Sequence, residues 1–546
     1  MESLDLENRK SHLQTTKSNQ DVCGRSSSSA SASASASESI LVPASPPHSL
    51  SPSSSTASPE QSIDKVKELD EFMVVFDGTD DKEDAARLSR AHKWAIVSII
   101  SFGSLCVTCI SSLWSLASSH IMEHFHVSHE VSVLGISFFI LGLGTGGIFL
   151  SPISEFHGRK MVYILGLSVM IAFEFLTAFV NNIGGMIFGR FMSGFFGLSF
   201  MSVASGSFSD LFKARKSEGK DANKELALAL VMYSVSPFVG PGVGPLLSGF
   251  INSHLNFRWT FYVLIIWSGL LLALVIIFVP ETYEPVNLKR KARRLRKETG
   301  DQRYYAEIEK KTVTLYESIL MSSKRPILLL FGDNMTMVLC FYSGFTLAIV
   351  YLFFVAFPYI FSTVYHFDLG KQGLSFLGLI IGMLLTCLIS PYFIDKLYLK
   401  LLTKNNGVAK PEFRFIPLMG GVCVVPIGLF IIAWTSYPHV HWIAPMIGSA
   451  VYGAGTILVF NGIFAYTVET YRLYAASSMA TNSFVRSVMS AVFPLFGLQM
   501  YEGMGIQWAT TLLALVACLL IPIPFLFYKY GETLRARSPY AWSVDV

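Results

Sequence analysis

Ser151-Pro-Ile-Ser-Glu-Phe-His-Gly-Arg-Lys160 is a short polar stretch set between two apolar runs, Val131 to Leu150 and Met161 to Val180. Each run has the length, roughly 20 residues, that crosses ~30 Å of hydrocarbon as a helix. A connection this short must turn tightly at a membrane surface, and Gly158 lets the backbone turn without steric cost. Arg159 and Lys160 mark the cytoplasmic side, because Lys and Arg in short loops are retained there during insertion. Glu155 shares the turn, so a carboxylate and a guanidinium can pair within it or with a neighbouring helix end.

The rest of the chain extends this reading. Of its 546 residues, 52% are hydrophobic and 15% are charged, against about 25% charged in soluble domains. The expected class is an all-α integral membrane protein. From Lys93 onward there are twelve apolar spans, near 94–118, 130–150, 161–180, 185–207, 226–250, 259–280, 335–359, 370–392, 415–435, 442–466, 476–500 and 507–528. Lipid leaves the backbone no partner but itself, and nothing here alternates like barrel strands, so the spans are expected to be helices. The basic loops alternate with loops almost free of Lys and Arg, which puts both termini in the cytoplasm. The polar start, Met1 to Asn19, has no apolar core of a cleavable signal, and the first span is expected to direct insertion.

The expected organisation is a disordered Ser-rich tail over 1–90, six spans over 91–280, a central cytoplasmic loop over 281–332, six spans over 333–528 and a short tail over 529–546. Ser26 to Ser62 has too little apolar surface to offset ordering entropy, and reads as a flexible segment open to phosphorylation or sorting. In the central loop, Lys289-Arg-Lys-Ala-Arg-Arg-Leu-Arg-Lys297 is followed by Asp301 to Lys311, which reads as a helix of mixed charge. The two sets of spans echo each other weakly: Ser151-Pro152 with Glu155 follows the second span, and Ser390-Pro391 with Asp395 follows the eighth. Such repeats are typical of secondary transporters. The seven cysteines lie in the tail or in apolar runs, so no disulfide framework is expected.

Several constellations stand out. The fifth span carries Ser236, Gly240, Gly244 and Ser248 on one helix face, a small-residue stripe on which another helix can pack backbone to backbone. Pro237, Pro241 and Pro245 each remove a ladder hydrogen bond. That face reads as a pivot or as ordinary tight packing. Arg190 in the fourth span and Arg486 in the eleventh are deep charges, expensive in hydrocarbon unless they face protein or water. Each reads as a proton-coupling element or as a structural Arg paired to carbonyls. Glu174 in the third span is the only acid deep in a helix, and a buried carboxyl can carry a proton; a peripheral third helix would place it away from Arg190. Asp333 and Glu469, near cytoplasmic helix ends, read as caps or anchors. His120, His124, His126 and His129 read as a polar outer loop rather than as metal ligands. Trp114, Phe341, Tyr342, Tyr351, Phe353 and Phe354 read as packing or as cavity lining. No ATP loop or hydrolase motif is present, and no enzyme activity, cofactor, metal or nucleic-acid partner is expected.

The loop order G-x-x-x-[DE]-R-x-G-R-[RK] is met at Glu155, Gly158, Arg159 and Lys160, with Ser151 and Phe156 in place of the first Gly and Arg. This resembles the signature of the major facilitator superfamily. Gly240-Pro241 with Gly244-Pro245 resembles the superfamily's proton-antiporter motif, and Arg190 matches the placing of its fourth-helix Arg. With Pro280-Glu-Thr-Tyr283, Tyr471-Arg-Leu-Tyr-Ala-Ala-Ser477, Phe493-Pro-Leu-Phe496 and Lys529-Tyr-Gly-Glu-Thr-Leu-Arg535, the chain from Lys93 to Trp542 is similar to the fungal twelve-span drug:H+ antiporters. The resemblance implies the facilitator fold, two pseudo-symmetric six-helix bundles, alternating access and proton-driven export of drugs, polyamines or organic acids from a monomer. It also points to the plasma membrane, with the vacuolar membrane as alternative. Proton-coupled nutrient uptake and a receptor or scaffold role are the rival readings.

Overall fold

The computed structural model describes residues 72–76, 84–213, 219–310 and 314–541. Twelve of its helices are long and apolar enough to cross a membrane. The first six are α1 (Arg90–Phe125), α2 (His129–His157), α3 (Arg159–Phe179), α4 (Ile183–Leu211), α5 (Glu225–His254) and α6 (Arg258–Phe278). The last six are α7 (Asn334–Thr363), α8 (Leu369–Lys404), α9 (Pro411–Thr435), α10 (Ile443–Thr470), α11 (Ala475–Met504) and α12 (Ile506–Arg537). All twelve fall where the apolar runs place them. The largest differences are at α8 and α12, which continue past the apolar run at the end of the molecule that carries the basic loops. Water there does not end a helix that already satisfies its own backbone.

The helix ends have local causes. Ser89 accepts from His92 N at the start of α1, Asn182 from Gly184 N at the start of α4 and Asp333 from Thr336 N at the start of α7. These are side-chain caps on backbone donors that no helix can satisfy internally. Gly158, with φ of 97°, breaks the chain between α2 and α3 in a conformation other residues rarely adopt.

The two sets of six pack alike. In the first, α1 lies on α5, α2 on α4, α3 on α4 and α3 on α6. In the second, α7 lies on α11, α8 on α10, α9 on α10 and α9 on α12. The glycine contacts repeat too. A methyl on Gly142, Gly146 or Gly194 would lie 2.1–2.2 Å from a carbonyl oxygen of the facing helix in the α2–α4 pair, and one on Gly378 or Gly382 within 2.0–2.2 Å in the α8–α10 pair. Backbone-to-backbone contact through small residues is how membrane helices approach closely.

The halves meet through α2 with α11 and through α5 with α8. Gly144 faces Ser487, Gly242 faces Ile380, and Gly249 faces the carbonyl of Leu369. At the end away from the basic loops, Gln499 Nε2 donates to Glu130 at 2.8 Å. Tyr233, Asn461, Phe464 and Arg486 are only partly buried.

The central loop corrects one expectation. The helix is the basic run, Glu284–Thr299, ended by Gly300 at φ of 72°. Over its described residues, Asp301 to Lys310, the segment expected as a helix is instead a turn, held by Asp301 accepting from Arg303, and then one turn of 3-10 helix, Glu307–Lys310. A Gly in the left-handed conformation stops the helix just where the mixed charges begin. A second loop helix, Leu315–Gly332, starts at a capping box between Thr314 and Glu317. The Thr314 backbone N–H and hydroxyl both favour the ionised carboxylate, which holds the Glu317 carboxyl below its ordinary value.

Of the segment 1–90, two pieces before α1 are described. Residues 72–76 lie against the loop, where Val74 N donates to Tyr305 O at 2.9 Å and Lys291 Nζ to Val75 O at 3.0 Å. A short turn, Ala85–Arg87, is capped by Asp84 and buries Ala85 in the first half. The Ser-rich stretch lies outside the described residues, as does part of the basic loop Lys213 to Lys224.

Candidate functional site

Both deep arginines lie at the centre of the bundle, and their surroundings differ. Arg190 on α4 is fully buried. Its Nε donates to Gly135 O at 3.2 Å, Nη1 to Ile110 O at 2.8 Å and Nη2 to Ser111 O at 3.2 Å. Phe139 lies 4.3 Å from the guanidinium carbon and Trp114 5.4 Å, and Trp114 is itself fixed by donating to Ser132 O at 2.8 Å. Carbonyls from α1 and α2 and two aromatic faces thus replace the hydration that the guanidinium leaves behind.

Glu174 on α3 is also fully buried, and neither carboxylate oxygen has a hydrogen-bond partner among the described residues. It lies within electrostatic reach of Arg190, with Ser193 beside it. The third helix therefore turns this acid inward against α4, where the family resemblance implied a peripheral helix. Close helix approach makes that possible: a methyl on Gly189 would lie 2.5 Å from Thr177 Oγ1, and one on Gly166 would lie 2.5 Å from Ser199 Oγ.

Tyr351 on α7 stands between the two halves. Its hydroxyl is 3.3 Å from Ser111 Oγ, and it is within electrostatic reach of both arginines. Arg486 on α11 packs over Phe460 and Phe464 of α10, at 5.5 Å and 5.4 Å. Among the described residues no hydrogen bond or ion pair reaches it, and its Nε is buried without a partner. Phe460 in turn meets Phe238 of α5 at 5.3 Å, so aromatic rings from both halves border this guanidinium. Phe341 is exposed on the outer surface, whereas Tyr342, Phe353 and Phe354 are core.

At the basic end the turn between α2 and α3 is the hub of a charge lattice. Arg159 is buried; its Nη1 donates to Ser154 Oγ at 2.8 Å and its Nε to Asp210 Oδ2, at the end of α4, at 3.4 Å. Glu281, just after α6, accepts from Arg159 N at 2.8 Å and from Tyr283 N at 3.0 Å. A methyl on Gly158 would lie 2.2 Å from Glu281 Oε2, so this position needs glycine for space as well as for its backbone angle. The Tyr283 ring lies 4.7 Å from the Arg159 guanidinium, and burial raises its phenol above the ordinary value. Lys160 Nζ donates to Ile276 O at 3.0 Å. Glu155 is exposed on the turn, near Tyr283.

The second half builds a matching lattice from residues that the sequence echo missed. Asp395 is exposed. The acid that takes part is Glu412, at the start of α9, accepting from Arg535 Nε of α12 at 2.8 Å. Arg414 donates to Glu469, at the end of α10, at 2.6 Å. Glu469 is thus an anchor, and Asp333 caps α7 while also accepting from Thr336 Oγ1 and the Tyr471 hydroxyl. The signal that would have found them is the position in the repeat, before the ninth span and after the tenth and twelfth, rather than the dipeptide Ser-Pro.

The small-residue stripe of α5 lies against α1. A methyl on Gly240 would lie 1.9 Å from Thr108 Oγ1, and one on Gly244 would lie 2.0 Å from Ser112 Oγ. Pro241 is buried between them and Ser236 and Ser248 are buried on the same helix, Ser248 accepting from Asn252 Nδ2. The stripe therefore joins two helices of one half, while the approach to the other half falls on Gly242 and Gly249. The expected outer histidine loop is mostly helix: His120 and His124 lie in the last turns of α1, where His124 packs on Phe257, His126 takes the left-handed turn that ends it, and His129 starts α2.

The sequence matches the Major Facilitator Superfamily over residues 100–494. It is 50% identical over 468 residues to a probable drug/proton antiporter of Saccharomyces cerevisiae, YHK8, covering 85% of this chain and 88% of that protein. The efflux pump atB of Aspergillus terreus is 40% identical over 477 residues, covering 86% of this chain and 90% of its own. A multidrug transporter of Candida albicans, FLU1, is 35% identical over 480 residues, covering 87% and 77%. With this match, the twelve spans and the repeated packing of two sets of six, the chain belongs to the major facilitator superfamily.

Proposed function

We propose that this protein exports small organic molecules by alternating access, driven by protons moving the other way. The observation that carries the reading is Glu174, a fully buried carboxyl without a hydrogen-bond partner, within reach of a guanidinium held by three carbonyls. Arg190 keeps its charge at any cellular pH, so the proton travels on the acid. When Glu174 is ionised, the two charges cancel; when it is protonated, the centre is left with one positive charge. A change of one buried charge is enough to bias two arrangements of the halves. The relatives named as efflux pumps and drug/proton antiporters support export over uptake.

In this reading the basic end is cytoplasmic and both termini lie inside. The plasma membrane and a monomer are the expected setting. Asn334-Met-Thr336 then starts α7 on the inner side and carries no glycan; a mass shift on endoglycosidase treatment that disappears in Asn334→Gln would reverse the topology. The direction of transport is tested in sealed vesicles with an imposed pH gradient. Substrate leaving against the direction of proton flow is expected, and substrate entering with protons would make the protein an uptake symporter.

A further inference from the structure

We infer that Arg486 sets the charge selectivity of the transport site: it donates to an acceptor atom on an uncharged aromatic substrate and keeps organic cations out. The inference rests on the export reading above. Glu174 is the one acid deep in the twelve spans; the other acids lie toward helix ends. Asp333 is turned away into its cap with Thr336 and Tyr471. Arg190 has its donors committed to Gly135, Ile110 and Ser111. That leaves Arg486 as the deep guanidinium without a hydrogen bond among the described residues, partly exposed, above Phe460 and Phe464 and beside Tyr351 and Cys340.

Its chemistry excludes two of the three charge classes. An organic cation entering here would meet a fixed positive charge with no carboxylate to offset it. An organic anion would pair with Arg486, and would bind best when Glu174 is protonated and the centre more positive. By linkage, proton and anion would then favour each other on the carrier and travel together, which opposes export against a proton. An uncharged molecule is free of both conflicts. A carbonyl, ether or ring-nitrogen acceptor takes a guanidinium N–H, while an aromatic body packs on Phe460, Phe464 and Phe238.

The test uses the purified full chain in phosphatidylcholine vesicles, which removes anionic headgroups as an occupant of Arg486. Four naphthalene probes share one ring system: a neutral N-methyl carboxamide, a methyl derivative without an acceptor, a fixed sulfonate anion and a fixed trimethylammonium cation. Wild-type protein is expected to bind the amide more tightly than the other three. Arg486→Ala weakens amide binding by roughly 10- to 100-fold, the range for a hydrogen bond to a charged donor, and leaves the methyl derivative unchanged. Arg486→Gln keeps a donor and binds the amide with an intermediate affinity, and Arg486→Glu admits the cation. Wild-type binding of the cation or the sulfonate as tight as that of the amide, or unchanged amide binding in Arg486→Ala, overturns the proposal. Flux under a pH gradient is measured separately. If the amide binds through Arg486 and does not move against protons, export falls while the selectivity stands.

Discussion

Arg190 and Arg486 are the same residue type at similar depth, one in each half, yet they are not equivalent. Three carbonyls and two aromatic faces enclose the first, with a carboxyl nearby. The second has two phenylalanine rings beneath it and no hydrogen-bond acceptor among the described residues. A buried charge that is fully satisfied is part of the framework, whereas one left unsatisfied is available to something that comes and goes. In the proposed mechanism the first half therefore holds a fixed charge and a proton, and the second holds the free donor.

The sharpest way to break this contrast is Arg190→Ala. It removes a fully buried side chain with three charge-assisted hydrogen bonds, each contributing about 1.5–3 kcal/mol, and leaves Glu174 without its neighbouring guanidinium, so loss of proton-driven export is expected together with a marked fall in thermal unfolding midpoint. Arg190→Lys keeps the charge but not the planar fork, and weak residual coupling is expected. Wild-type export with the same pH dependence in Arg190→Ala would make the cage dispensable. A second test asks whether the basic ends are as rigid as the first half's centre. Removing one partner of a buried ion pair costs about 3–5 kcal/mol; Glu412→Ala, which takes one carboxylate partner from Arg535 at 3% exposure, is expected to reach the lower end of that range by chemical unfolding. A loss below about 1 kcal/mol would mean that the pair behaves like a surface one.

Glu174→Gln separates the proton from the framework. The amide has nearly the shape of the protonated acid, so the protein is expected to fold and reach the membrane while transport loses its response to an imposed pH gradient. A normal response would place the proton elsewhere. The smallest expected effect is on stability in Arg486→Met. Replacing a buried ionic group by a well-packed apolar one is often neutral or stabilising, so the unfolding midpoint is expected to stay level or rise. A fall as large as that of Arg190→Ala would show that Arg486 has structural partners after all.

Much of this was legible along the chain. Twelve apolar runs of helix length and alternating loop charge fix the spans, since insertion responds to local composition. Arg190, Arg486 and Glu174 were visible as deep charges because charge is rare in such runs. The turn at Gly158-Arg159 was visible because glycine and a basic pair interrupt apolar sequence. The repeat was only partly visible: Asp395 echoed Glu155 in sequence, and Glu412 with Arg535 carries the lattice in space.

Tertiary structure decided the pairings. Arg190 is caged by carbonyls of residues 110, 111 and 135, on helices whose order along the chain says nothing of their register against α4. Glu174, already a candidate proton carrier in the sequence, gained Arg190 as a neighbour only when packing turned its face of α3 inward, and the Gly240 stripe met α1 rather than the other half. A span needs only its own residues to be apolar and its own backbone to be satisfied, so the sequence determines it locally. Whether a buried charge has partners depends on the rotation and height of several helices at once, and that is settled by packing.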